Sequence, residues 1–295
     1  MTTDSRSLPG LPDIVDAVLP DTVGMLVLDL DGTCLDHRQQ LHPRIAAAVR
    51  EAAAQVPVVI ATGRMYRSAL PWARKLGISS PLLCYQGAWA EEVGPGGANH
   101  GRVLFRDELP VSVARSALAV ARRNGWHRIA FHDDRAFVEQ ARVEGEIYSR
   151  ISGVDLEQCD DLNLEVRDGS TKMVCVIEDP AEVRRCRSLL ESTLGETANV
   201  TRSLPQYIEV TSPSATKARA LDRLRLELAV RGPVVAVGDA PNDASMLEAA
   251  DVAVAVRVRG GEADAELAGH ADCTCAPPED AGVADLLRQL GLTDT

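Results

Sequence analysis

Lysine is almost missing from this 295-residue chain: Lys75, Lys172 and Lys217 are the only three, and arginine carries the rest of the positive charge. Positive charge as a whole is in deficit, with a formal net charge of -12. That balance argues against a nucleic-acid or anionic-membrane partner, either of which calls for a basic face. It leaves room for a small phosphorylated substrate, because a few local cations can dominate one pocket. No stretch approaches the roughly 18 consecutive apolar residues of a membrane span. No basic segment followed by an apolar one opens the sequence, so nothing reads as a secretory signal and a cytoplasmic protein is the expectation. The seven cysteines form no Cys-x-x-Cys pair, and the six histidines form no His-Glu-x-x-His. Zinc is therefore not expected. Cys84 and Cys175 sit in apolar runs and read as small core residues.

What is present is a 45% hydrophobic, 25% charged composition long enough for two domains. Apolar strand candidates at 24–29, 56–61, 81–85, 233–238, 252–256 and 272–275 alternate with helical patterns at 42–54, 64–76, 215–230, 242–250 and 281–290. Such alternation predicts βαβ units and one parallel sheet assembled from two distant pieces of chain. Between them the pattern changes. Strand-like pieces at 102–106, 127–132, 136–140, 171–178 and 197–203 accompany helical patterns at 111–123, 143–151 and 181–194, which predicts an α+β insert with its own sheet. The expected division is an extension at 1–20, a core in 21–89 and 205–295, and a cap in 90–204. Nothing in the pattern sets an oligomeric state.

The chemistry-bearing residues fall at strand ends and helix starts. Asp29-Leu-Asp31-Gly32-Thr33 follows a short apolar strand, where parallel sheets place their ligands. Two carboxylates so close repel unless a cation or a shared proton relieves them. Together with the hydroxyl they offer a nucleophile, a proton carrier and a metal seat. After the second strand, Thr62-Gly63-Arg64 could bind an anion through a hydroxyl and backbone N–H groups, or could simply cap a helix. Lys217 follows a hydroxyl-rich run in which Ser214 is a reasonable N-cap. That puts an ammonium in the first helical turn, where it opposes the helix dipole. Finally Gly238-Asp239-Ala-Pro-Asn242-Asp243 ends another apolar strand. Asn242 and Asp243 could cap the next helix, but Asp239 ends a strand of the sheet that already carries Asp29 and Asp31.

Asp-x-Asp-Gly-Thr, Thr-Gly-Arg, a lysine and Gly-Asp-x-x-Asn-Asp, in this order, resemble the haloacid dehalogenase superfamily of phosphohydrolases. With a large insert between the second and third of them, the chain looks like the Cof-type branch. The resemblance runs from about residue 24 to the end. It implies a doubly wound α/β core with an inserted α+β cap. It further implies a Mg²⁺-dependent phosphatase acting on a small phosphorylated metabolite, such as a sugar phosphate or a phosphorylated cofactor. In that mechanism Asp29 is the nucleophile that becomes an aspartyl-phosphate, and Asp31 is the acid and then the base. Mg²⁺ is held by Asp29, the Asp31 backbone carbonyl and Asp239, with Asp243 as ligand or support. Thr62, Gly63 and Lys217 hold the phosphoryl oxygens, and Asn242 helps position Lys217 or the metal. Gln86-Gly87 stands where the family commonly has Asn-Gly, and Arg257-Val-Arg-Gly-Gly261 replaces a Gly-Asn-Ala turn. Cys34 replaces a usual Leu.

A rival class is a phospho-accepting signalling module, or a phosphometabolite-binding protein without turnover. Receivers of that kind are shorter and lack a large insert, and here no catalytic position is missing. The insert offers Arg102, Arg106, His127, Arg128, His132, Arg135 and Lys172 as readers of the leaving group. Most of these are expected to be solvated surface charges.

Overall fold

The computed structural model of the chain describes residues 11–294. Its contacts divide into two compact units. One runs to Val56 and resumes at Arg231, and the other is Pro57–Val230. The fold is the expected α/β one, a parallel-sheet core interrupted by an α+β insert.

In the first unit, parallel strands run in the order Cys273–Cys275, Val252–Val256, Val234–Gly238 and Met25–Leu28. Met25 to Leu28 are all fully buried, as the uninterrupted apolar run requires of a strand covered on both faces. The helix Pro43–Ala53 starts with proline, whose missing N–H costs nothing there. His42 Nδ1 accepts from Arg44 N at 3.2 Å to cap it. Ile45, Ala48, Val49 and Ala52 repeat at helical spacing and form its buried face. That helix packs on Gly282–Gln289, and Arg44 reaches Asp285 at 2.7 Å. Of the expected extension, residues 1–10 lie outside the described part. Pro12 to Ile14 add to the sheet: Thr274 N donates to Pro12 O and Ile14 N to Thr274 O, each at 2.9 Å.

In the second unit, Thr62 follows the strand Val58–Ile60, and its N–H donates to Leu83 O at 2.8 Å. Leu82–Cys84, Trp89–Glu91 and Val103–Arg106 form a three-stranded antiparallel sheet. A six-stranded sheet follows the order Asn199–Leu204, Tyr207–Thr211, Lys172–Val176, His127–His132, Arg135–Val138, Leu156–Gln158. Its neighbours are antiparallel except for the last pair. Alternation along the strands divides its residues between two faces. Ala130, Met173, Cys175, Ile208 and Val210 join residues of the helices Val111–Arg123 and Pro180–Leu194 in one apolar cluster. Lys172, Glu209, Phe131 and Tyr207 alternate with them and belong to the other face.

The sequence pattern did not foresee Trp89–Glu91, Leu156–Gln158 or Tyr207–Thr211 as strands. The last follows Pro205 and carries a glutamate at its centre, so it reads as a loop until its pairing with Lys172–Val176 is known.

His127 is 5% exposed and its Nε2 has no hydrogen-bond partner. Burial holds its pKa below the ordinary value. A folded-state pKa below the unfolded one means that the unfolded chain takes up the proton first, so stability falls as pH drops through the unfolded value. The melting midpoint is therefore expected to fall between about pH 7 and about pH 5, and less steeply in His127→Gln. Equal slopes for the two proteins would contradict this.

Candidate active site

The sheet fixes Asp29 directly, because its N–H donates to Val237 O at 2.9 Å and so continues the strand pairing by one residue. The chain then folds back on itself. Cys34 N and Leu35 N both donate to Leu30 O, and Gly32 N donates to Leu35 O at 2.8 Å. Gly32 has φ +84°, and a Cβ there would lie 2.1 Å from Asp239 Oδ2. Only glycine lets the turn approach that carboxylate. Thr33, fully buried, points Oγ1 at Asp239 Oδ1 at 3.4 Å. Gln39, itself at φ +61°, donates Nε2 to Asp31 Oδ1 at 2.9 Å. The sequence offers Thr33 as part of the turn that orients Asp29 and Asp31, without its contact to Asp239, and does not mark Gln39. An Asp-Gly-Thr turn and a distant Gln are both ordinary loop chemistry.

The neighbouring strand Val234–Gly238 brings Asp239 to the same end of the sheet. Asp243 is fully buried, and its Oδ2 accepts from Asp239 N at 3.1 Å and Ala240 N at 3.3 Å. It holds the turn that carries Asp239. A Cβ on Gly238 would meet the Asp243 Cβ at 2.5 Å, so glycine is needed there for close approach. Asn242 is half-buried in the same turn, within the short 3₁₀ segment Pro241–Asp243.

Asp29, Asp239 and Asp243 each offer an oxygen, and these oxygens lie within 4.8 Å of one another. Asp29 and Asp243 are buried. Three like charges at this spacing, largely out of water, repel strongly and favour a cation among them. An all-carboxylate donor set suits a hard ion such as Mg²⁺. Cys34 is no competing ligand or nucleophile. Burial first, then Asp29, pushes its thiol far above the ordinary range, so it stays protonated.

Of the phosphate-binding candidates, Thr62, Gly63 and Lys217 belong to the second unit. Thr62 is 1% exposed and its Oγ1 accepts from Arg64 N at 3.2 Å. Lys217 is also 1% exposed. It opens the helix Lys217–Glu227, and the N-cap is Thr216 rather than the expected Ser214: Thr216 Oγ1 accepts from Arg219 N at 3.2 Å. In a run of four hydroxyls, Thr211, Ser212, Ser214 and Thr216, spacing alone does not select the capping one. Gln86, at φ +59°, sits against Gly63, and Gly87 against the Thr216 backbone. The Gln-Gly departure thus occupies the space between the Thr62 loop and the start of the Lys217 helix.

The family model for haloacid dehalogenase-like hydrolases matches residues 26–287. The chain belongs to that family. Among relatives of this hydrolase, a phosphoglycolate phosphatase from Archaeoglobus fulgidus is 26% identical, over 90% of this chain and 96% of its own. A 5-amino-6-(5-phospho-D-ribitylamino)uracil phosphatase from Bacillus subtilis is 24% identical, over 90% and 96%. A crystal structure from Thermotoga maritima is 25% identical with a TM-score of 0.78, covering 91% of this chain and 97% of that one.

The hydrolase is expected to tolerate no side chain at Gly32. Gly32→Ala should lower the melting midpoint or displace Asp239, with a loss of about tenfold or more in turnover if the geometry is catalytic. A variant with unchanged stability and turnover would contradict the close approach described above.

Proposed function

We propose that this hydrolase is a Mg²⁺-dependent phosphatase that removes phosphate from a small phosphorylated metabolite through an aspartyl-phosphate on Asp29. The observation that carries the reading is the convergence of Asp29, Asp239 and Asp243 at the ends of two adjacent parallel strands, with Asp31 two residues beyond the first.

An Asp29 carboxylate oxygen attacks phosphorus, and the bond from phosphorus to the leaving oxygen breaks. Asp31 gives its proton to that oxygen. It then takes a proton from the water that attacks phosphorus and cleaves the bond to Asp29. Gln39, bonded to Asp31 Oδ1, orients that carboxyl for both transfers. Asp29, the Asp31 backbone carbonyl and Asp239 would hold Mg²⁺, with Asp243 as ligand or support. Bound there, the ion offsets the repulsion between carboxylate and phosphate. Thr62, Gly63 and Lys217 neutralise and orient the phosphoryl oxygens, and Asn242 helps to place them.

The Archaeoglobus and Bacillus relatives are named for leaving groups of very different size, a two-carbon acid and a ribityl-pyrimidine. What they share is a phosphomonoester, which supports the reaction class rather than a particular metabolite. Residues 90–204 are the cap in this reading, and they select between a sugar phosphate and a phosphorylated cofactor. Among the described residues no helix is long and apolar enough to cross a membrane.

Purified protein is expected to release phosphate from an aryl phosphate with Mg²⁺ and to stop on chelation. Asp29→Asn should cost at least about a thousandfold in turnover. Full activity in that variant, with deamidation excluded by mass, would sink the nucleophile assignment. Mg²⁺ should also raise the melting midpoint by mass action. Asp243→Asn is expected to need about ten- to a hundredfold more Mg²⁺ for the same rise, and an unchanged requirement would count against Asp243.

A further inference from the structure

Lys172, one of the seven candidate readers of the leaving group, is not among the solvated surface charges expected of most of them. It is 2% exposed, on the sheet face away from the apolar cluster. Its register partner is Phe131, and Glu209 lies diagonally across on the next strand. The ammonium is 3.3 Å from Glu209 Oε1 and 3.0 Å from the Gly63 carbonyl oxygen. It also lies 5.1 Å from the ring centre of Phe131 and 5.7 Å from that of Tyr85. A buried ion pair is often no more stabilising than apolar residues of the same volume, so fold stability alone does not account for it.

The Gly63 carbonyl belongs to the peptide whose other end is Arg64 N, the donor to Thr62 Oγ1. One rigid plane therefore carries both contacts. Lys172 holds its carbonyl end, and its amide end orients the Thr62 hydroxyl. A hydroxyl oxygen that accepts from that amide turns its own proton outward, as a donor to an anion. The far end of the same loop is held by the same insert. Asp134 Oδ1 accepts from Tyr66 N at 2.9 Å and Tyr85 Oη at 2.8 Å, and Oδ2 accepts from Arg67 N at 2.9 Å. It thus caps the helix Tyr66–Lys75, whose own N-cap, Met65, makes no side-chain bond. Asp133 and Asp134 pay for that placement with φ of +48° and +54°, a turn conformation that favours glycine or asparagine.

We propose that Lys172 is a positioning residue for phosphoryl binding. Through the Gly63 carbonyl it fixes the Gly63–Arg64 peptide, and so aims the Thr62 hydroxyl, while Glu209 holds the ammonium in place. The proposal rests on Thr62 being a phosphate ligand.

Thr62→Val, Lys172→Met and the combined variant test it, read by aryl-phosphate kinetics and by competitive inhibition with inorganic phosphate. Lys172→Met is expected to lower kcat about tenfold or more and to weaken inhibition by phosphate. Adding it to Thr62→Val should cost nothing further, because both changes remove the same interaction. Multiplying losses in the combined variant, or wild-type kinetics in Lys172→Met, would overturn the proposal. Wild-type turnover in Thr62→Val would instead overturn the phosphate role of Thr62, and the proposal with it. Lys172→Met/Glu209→Gln removes the buried carboxylate's charge together with the ammonium. It should turn over as slowly as Lys172→Met. Recovery of wild-type turnover there would trace the loss to the Glu209 charge and refute positioning.

Discussion

Repulsion among Asp29, Asp239 and Asp243 is the constraint on which the first unit is built. Their oxygens stand within 4.8 Å of one another with two of the three side chains buried, and such charges separate unless the backbone holds them. The holding is done by the sheet and its turns. Asp29 is tied by its N–H to Val237, Asp239 is carried on a turn gripped by Asp243, and Gly32 leaves space for the approach. The arrangement sets three carboxylates at the end of a framework of aliphatic strands. In the proposed reaction a divalent cation would offset the repulsion among them, and the same cation would let one carboxylate meet a phosphate.

The second unit solves a different problem, that of holding a glycine-containing loop in one conformation. Thr62 to Arg67 contains a glycine and leads into a helix without a capping side chain of its own. Lys172 bonds one end of it and Asp134 the other. Lys172 lies on a strand of the six-stranded sheet, and Asp134 lies in the turn that joins two of its strands. An insert that reads a leaving group and also shapes a phosphate loop would link substrate choice to phosphoryl binding through a few hydrogen bonds.

Much of this was legible in the amino-acid order. Strands buried on both faces announce themselves as unbroken apolar runs, so the ends that carry Asp29, Thr62 and Asp239 could be placed before any coordinates. Lys217 was legible as an ammonium in a first helical turn, although the cap is Thr216 and not Ser214. Lys172 was not legible. Whether a strand lysine faces solvent or a buried carboxylate depends on register with a strand about 35 residues later in sequence, and period-two alternation decides the face only once that register is known. Gln39 and Asp134 were missed for a related reason. Each sits in a turn at positive φ, and its partner is set by tertiary approach rather than by local spacing.

The central claim is that Asp29 carries the phosphoryl group. Acid quenching during steady-state turnover, followed by peptide mapping with mass detection, tests it most directly. A phosphoryl adduct is expected on the peptide containing Asp29, absent from Asp29→Asn and discharged once substrate is exhausted. An adduct on a different residue, formed while the enzyme turns over, would contradict it.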